Sequence, residues 1–384
     1  MLNNTKPYYI ISGLELNDNN RGTAALGYGA FFFLHKFHGA IDLTPIRIFV
    51  YKKPWILRFR KQKKETLNVG NKEVVMRNFY IWFFDYWIFK NVLFFSKLTK
   101  TAGLLKKVNF AAAINGGDGF SDIYGTETFE HRLFITRLAI KKKIPLIILP
   151  QTLGPFKDNS NLETAKAILK YATKIYVRDD KFMSTLSSWQ IPFELTNDLS
   201  YYMKPEKVDI DIESGAIGLN ISGLCYSNEF KDLSGQFDLY PSLIFRIINY
   251  FQKKNNHIYL ISHSYNYDNP EFANDDLQAS KDVYNKLQDK TNIHLVDRNL
   301  NSPQTKYIIS RCGFFIGTRL HACFAAIFTK TPVFGLAYSY KYEGSFRYMG
   351  LENNYTSVLN LKEEQIDDII SKINAKYVEN LTEN

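Results

Sequence analysis

The sequence predicts an α/β protein made of two successive doubly wound sheets, and three observations carry that prediction. Short apolar runs recur between helical patterns through the first half of the chain. A second series of the same kind starts after the charged, proline-bearing segment Lys204 to Ser214. The runs lead into polar or glycine-bearing turns, the rhythm of parallel strands buried on both faces and joined by helices.

In chain order, the first series predicts strands at Tyr8 to Ser12, Ile46 to Tyr51, Asn109 to Asn115, Leu146 to Leu149 and Lys174 to Val177. The second predicts strands at Ala216 to Ile221, Ile258 to Ser262, Ile293 to Val296, Phe314 to Gly317 and Val333 to Ala337. A boundary near Met203 divides the chain into Rossmann-like domains of residues 1–203 and 204–384. Such sheets bind ligands beyond the carboxyl ends of their strands. A last helix, Lys362 to Lys372, places Ile366, Ile369, Ile370 and Ile373 toward a core, without showing which domain's.

Composition agrees with a folded chain of about two domains, since 384 residues with 45% apolar content exceed what one core usually serves. The 48 Lys and Arg against 38 Asp and Glu leave a formal charge of +10, which favours anionic partners. Cys225, Cys312 and Cys323 lack metal-ligand spacing, so no metal site and no disulfide framework are expected. Met1 to Pro7 has no apolar segment of signal-peptide length, which predicts a cytoplasmic protein.

Tyr80 to Leu98 is rich in Trp and Phe but is broken by Asp85, Lys90 and Lys97, and it falls short of the ~20 apolar residues of a membrane span. It reads either as an aromatic packing helix or as a segment touching the inner membrane surface.

The candidate chemistry gathers at predicted strand ends. Asn20-Arg21-Gly22-Thr23 opens the helical run Ala24 to Phe37, and its backbone N–H groups suit a phosphate or sugar hydroxyl, or only make a turn. Asn115-Gly116-Gly117-Asp118-Gly119-Phe120-Ser121-Asp122 allows close substrate approach, and its Asp118 and Asp122 either accept protons from hydroxyls or cap a turn. Pro150-Gln151-Thr152-Leu153-Gly154-Pro155 forms a rigid loop offering hydrogen bonds from Gln151 and Thr152. Arg178, followed by Asp179 and Asp180, either binds an anion or pairs with those aspartates, and Asn197-Asp198 lies at the next strand end.

The most informative segment is Gly317-Thr318-Arg319-Leu320-His321-Ala322, leading into an apolar helix and then Thr331-Pro332-Val333. A guanidinium, an imidazole and a helix N-terminus together suit a phosphate or a carboxylate. His263, at another predicted strand end, is a secondary candidate.

Taken in this order, the glycine-aspartate loop, the Pro150 to Pro155 loop, Arg178-Asp179, Asn197-Asp198 and Arg319-Leu320-His321-Ala322 with Thr331-Pro332-Val333 and Tyr340-Lys341 resemble the polysaccharide pyruvyl transferase family. The first loop lacks that family's usual acidic residue, and Asn115 stands where glycine is commoner. The resemblance implies a glycosyltransferase-B-like arrangement, with the acceptor on the first domain and phosphoenolpyruvate on the second. It further implies that Arg178, Arg319, Leu320 and His321 bind phosphoenolpyruvate as co-substrate, with no other cofactor.

On this reading His321 protonates the donor's methylene carbon, and Asp118 or Asp122 takes protons from the hydroxyls of a glycan or lipid-linked sugar. Asn20, Gly22, Gly117, Gln151 and His263 are the expected acceptor contacts. The rival enzyme is a nucleotide-sugar glycosyltransferase of the same architecture. A nucleic-acid-binding protein is disfavoured, because the candidate residues sit at strand ends rather than along a basic stripe.

Overall fold

The computed structural model describes residues 7–51, 63–69, 72–82, 100–230, 233–339 and 341–382. The chain divides into two compact units, Met1–Glu15 with Leu26–Tyr202, and Leu16–Ala25 with Met203–Asn384. Division at a single position misses the exchanged piece: Leu16–Ala25, which carries the Asn20-Arg21-Gly22 motif, belongs with the second unit.

The first unit holds a sheet in the order β3-β4-β2-β1-β5-β6-β7-β8. Its strands are β1 (Tyr8–Ser12), β2 (Thr44–Tyr51), β3 (Lys63–Val69), β4 (Lys72–Trp82), β5 (Val108–Ala113), β6 (Leu146–Gln151), β7 (Lys174–Val177) and β8 (Glu194–Leu195). Pairing is parallel except between β3 and β4. The order reverses between β1 and β5, where Gly13 passes so close to the Ile114 carbonyl that a Cβ would lie 1.5 Å from its oxygen.

Tyr80 to Trp82 end strand β4 rather than starting a helix, and the rest of that aromatic segment lies outside the described residues. The β3–β4 hairpin hides from a search for apolar alternation because its inward positions mix types. Leu67, Val74 and Met76 are buried there, but so is Asn78, whose amide donates to Glu65 at 2.7 Å. Arg47 of β2 joins them with a two-pronged bond to Glu65.

The second unit is a wholly parallel sheet in the order β11-β10-β9-β12-β13-β14. Its strands are β9 (Ile217–Asn220), β10 (Ile258–Leu260), β11 (Ile293–Leu295), β12 (Phe314–Gly317), β13 (Val333–Ala337) and β14 (Tyr355–Ser357). Along β12, Phe314 and Ile316 enter one core cluster and Phe315 enters another, so both faces are covered and the strand reads as a continuous apolar run. The final helix runs Glu363–Thr382, and Ile366, Ile369, Ile370 and Ile373 pack into the second unit's core with Ile217 and Phe314.

Order reverses in this sheet between β9 and β12, the crevice where doubly wound sheets take their ligands. No helix among the described residues is long and apolar enough to cross a membrane. All three cysteines are buried thiols, and burial pushes each up to about 12.

Candidate active site

In the first unit, the loops after β5, β6, β7 and β8 meet around Arg178. Gly117 has φ +88, and a Cβ added there would lie 3.1 Å from Arg178 Nη1, so the glycine lets backbone run against the guanidinium. Arg178 Nε donates to Thr152 Oγ1 at 3.0 Å, and Nη1 donates to Asp198 at 2.6 Å. Thr152 in turn donates to Asp179. The principal carboxylate partner of Arg178 is therefore the buried Asp198, with Asp179 farther off at 3.9 Å.

Two predicted site residues of this unit serve the framework instead. Gln151 is fully buried: its Oε1 accepts from Asn115 N at 3.0 Å and its Nε2 donates to the Ala113 carbonyl at 3.1 Å. Its amide is spent on joining β6 to the loop after β5. Asp122 accepts from the backbone N–H groups of Lys157 and Asp158, each at 2.9 Å, and from Asn161 Nδ2. Burial alone would raise its carboxyl, but these hydrogen bonds outweigh it and hold the group below its ordinary value, which makes Asp122 a poor proton acceptor. Asp118 Oδ2 accepts from the exposed Tyr124 hydroxyl at 3.1 Å.

In the second unit, the turn after β12 is gripped residue by residue. Thr318 is fully buried between two tyrosine hydroxyls: Tyr240 shares a 2.7 Å hydrogen bond with its Oγ1, and Tyr342 donates to its carbonyl at 2.5 Å. Arg319 N donates to Asn220 Oδ1 at 2.8 Å. Its guanidinium lies against Asp276, with Nε 3.0 Å and Nη2 2.7 Å from Oδ1, and Nη2 also reaches Asn274 Oδ1 at 2.8 Å. Burial works against the cation, yet the Asp276 carboxylate outweighs it and holds Arg319 firmly protonated. Arg319 is thus a buried, paired cation rather than one waiting alone for an anion.

Arg319 is also the N-cap of the helix Leu320–Phe328, without a side-chain cap bond. His321 stands in the first turn, its ring 5.5 Å from that of Phe324. A Cβ at Gly22 would come within 2.6 Å of the His321 ring, so the motif at Asn20 to Gly22 packs directly on this histidine. Asn20 Oδ1 accepts from Gly22 N at 2.9 Å.

Arg21 secures the piece, donating to the carbonyls of Leu300, Asn19 and Tyr265 and lying 4.1 Å over the Tyr265 ring. Asn20 and Gly22 consequently belong with the second unit, whereas the chain order alone places them in the first.

His263 follows β10 and is buried, and its Nδ1 has no hydrogen-bond partner among the described residues. Burial first, then the nearby His321, Arg21 and Arg319, push it well below the usual histidine range, so it is a neutral imidazole at pH 7. Its backbone carbonyl accepts from Arg21 N at 2.9 Å.

A buried Arg319 followed by a half-buried His321 thus stands at one sheet's switch point, and an Arg-Asp pair stands beside a glycine loop on the other. The polysaccharide pyruvyl transferase model matches residues 20–340. The chain belongs to that family. It is 21% identical over 300 residues to the amylovoran biosynthesis protein AmsJ of Erwinia amylovora, covering 74% of this chain and 69% of that protein.

Among solved structures, this family member is similar to a putative UDP-N-acetylglucosamine 2-epimerase from Listeria monocytogenes. The TM-score is 0.54 at 9% identity, over 97% of this chain and 90% of that one. It is also similar to the UDP-GlcNAc 2-epimerase of Methanocaldococcus jannaschii, with TM-score 0.53 at 11% identity over 95% and 92% of the chains. At such identities the likeness concerns the fold, which is of the glycosyltransferase-B and epimerase kind.

In this family member the sequence does not announce two partners of Arg319, Asn220 and Asp276. Asp276 is masked by its neighbour: Asp275 is the ordinary N-cap of the helix Asp276–Lys286, accepting from Gln278 N, and an Asp-Asp pair at a helix start looks complete with that role.

Proposed function

We propose that the protein transfers the enolpyruvyl-derived group of phosphoenolpyruvate to two hydroxyls of a sugar, forming a pyruvate ketal and releasing phosphate. The acceptor is a cell-surface or capsular polysaccharide or its lipid-linked precursor. The observation that carries this reading is the Thr318 to His321 turn, which joins a buried guanidinium, an imidazole and an uncapped helix N-terminus at a switch point. That set suits a small ligand bearing both phosphate and carboxylate. Family membership and the likeness to an amylovoran biosynthesis protein support a polysaccharide as the acceptor class.

The chemistry assigned to these residues runs in two halves. His321 as imidazolium gives its proton to the methylene carbon of the donor, which becomes a methyl group, and the adjacent carbon takes on oxocarbenium character. The first sugar hydroxyl adds there and loses its proton to a base, for which Asp118 is the remaining candidate. The carbon–oxygen bond to phosphate then breaks, phosphate carries away that electron pair, and the second hydroxyl closes the ketal as it loses its proton. Arg319 and the N–H groups of the helix start stabilise the departing phosphate. Arg178 is the further donor-binding cation that the family resemblance implies, and Gly117 provides close approach for the acceptor.

The test is acceptor-dependent phosphate release from phosphoenolpyruvate, using galactosides, mannosides and lipid-linked sugars, with Arg319→Ala and the milder His321→Asn as controls. Release by the wild type, lost in both folded variants, is the expected result. Turnover of a nucleotide-sugar with no release from phosphoenolpyruvate replaces this reading with a glycosyltransferase.

A further inference from the structure

Asp276 is fully buried and gathers contacts from every strand end around the switch point of the second sheet. Its Oδ1 accepts from Gly223 N at 2.9 Å and from Arg319 Nη2 at 2.7 Å. Its Oδ2 accepts from Ser264 N at 2.9 Å, from His263 N at 3.2 Å and from Asn220 Nδ2 at 3.2 Å. Asn220 completes the grip by accepting from the Arg319 backbone N–H. The close fit leaves little slack, since a Cβ at Gly223 would lie 2.3 Å from the Asp275 carbonyl oxygen.

A carboxylate needed only to neutralise Arg319 would not require three backbone donors and an amide as well. These contacts fix the carboxylate, and the carboxylate in turn fixes the Nε–Nη2 edge of the guanidinium. An anion that Arg319 binds must therefore come to its Nη1 side, in one orientation.

We propose that Asp276 is a positioning residue: through Arg319 it sets the angle at which the anionic donor is held beside His321. The inference rests on the Arg319 turn being the donor site. Asp276→Asn, close in shape and without the charge, should weaken phosphoenolpyruvate binding by about 100-fold, as expected for a misplaced binding group. The KM for the sugar acceptor should change far less than the donor affinity, because the guanidinium is the group that loses its partner charge.

A double-variant cycle separates positioning from mere support of the fold and remains readable if Asp276→Asn alone does not fold. Arg319→Met keeps weak donor binding through the helix start, and adding Asp276→Asn to it should cost no further affinity. It should also raise the melting temperature above that of Asp276→Asn, because the unpaired buried cation is gone. A further fall in affinity in the double variant, or a folded Asp276→Asn protein with unchanged donor affinity, overturns the proposal.

Binding is titrated with phosphoenolpyruvate, inorganic phosphate and a nucleotide-sugar. If only the nucleotide-sugar binds, the donor reading fails and the same cycle, read with that ligand, still decides the role of Asp276. If none of the three binds the wild type, both readings fall.

Discussion

Arg178 and Arg319 each follow a strand at its carboxyl end and each faces a carboxylate, yet they are held differently. The side chain of Arg178 is 16% exposed against an Asp198 that is 4% exposed, whereas Arg319 at 9% faces an Asp276 that is fully buried. Arg178 has one close carboxylate bond and one hydroxyl bond, while Arg319 is fixed through its backbone, its guanidinium and the preceding Thr318. A guanidinium that keeps some contact with water can exchange a protein partner for a ligand at less cost than one paired with a fully buried carboxylate, which acts as part of the frame. The first unit thus has an adjustable cation and the second a preset one.

Truncating the two arginines is the most direct way to break this contrast. Arg319→Ala should cost about 3–5 kcal/mol of stability, because Asp276 is left as an uncompensated buried charge. Arg178→Ala should cost less, about 1–2 kcal/mol, because the Arg178 side chain keeps more contact with water and Asp198 retains the Ser200 N–H and hydroxyl as donors. Urea unfolding measures both, and equal losses would dissolve the distinction.

Gly22→Ala sharpens the same comparison from the side of the exchanged segment. Its new methyl group must displace the base of the His321 side chain, so phosphate release should fall by about 100-fold and the melting temperature should also fall. Unchanged turnover would remove His321 from the reaction or show that the turn yields easily.

Asp122→Asn should have the smallest effect on activity, leaving turnover at pH 7 within about twofold if Asp122 is framework. Its effect belongs to stability and to acid. The folded carboxyl lies below its unfolded value of 3.8, so its contribution is complete above that pH and is lost as pH falls through the folded value. The variant should be less stable at pH 7 and lose less on acidification below about pH 4, in melts followed by circular dichroism. A large fall in turnover at pH 7 would restore Asp122 as a base.

Much of the site was legible because parallel sheets announce their strand ends. An apolar run followed by Gly-Gly, by Pro-Gln-Thr or by Gly-Thr-Arg marks where backbone leaves the sheet, and the loops around Gly117, Thr152, Arg178 and Arg319 are where that pattern places them. The β3–β4 hairpin was not legible, because the buried Asn78 and its partner Glu65 interrupt its alternation. Nor were the opposite fates of Asp118 and Asp122. Both are aspartates of one glycine loop, and only the position of Lys157 and Asp158 decides that the second is consumed by backbone donors.

Local sequence specified the α/β class, the parallel strands of both sheets and the strand ends that carry Arg178, Arg319 and His321, because period, turn chemistry and local charge are properties of neighbouring residues. Only the tertiary structure decided that Leu16–Ala25 joins the second unit, that Gly22 packs on His321 and that Asp276 holds Arg319. These pairings link residues 43 and more positions apart, as between Asp276 and Arg319, and depend on which strand ends the folded sheets bring together. A carboxylate or a glycine carries no local mark of the partner it will meet.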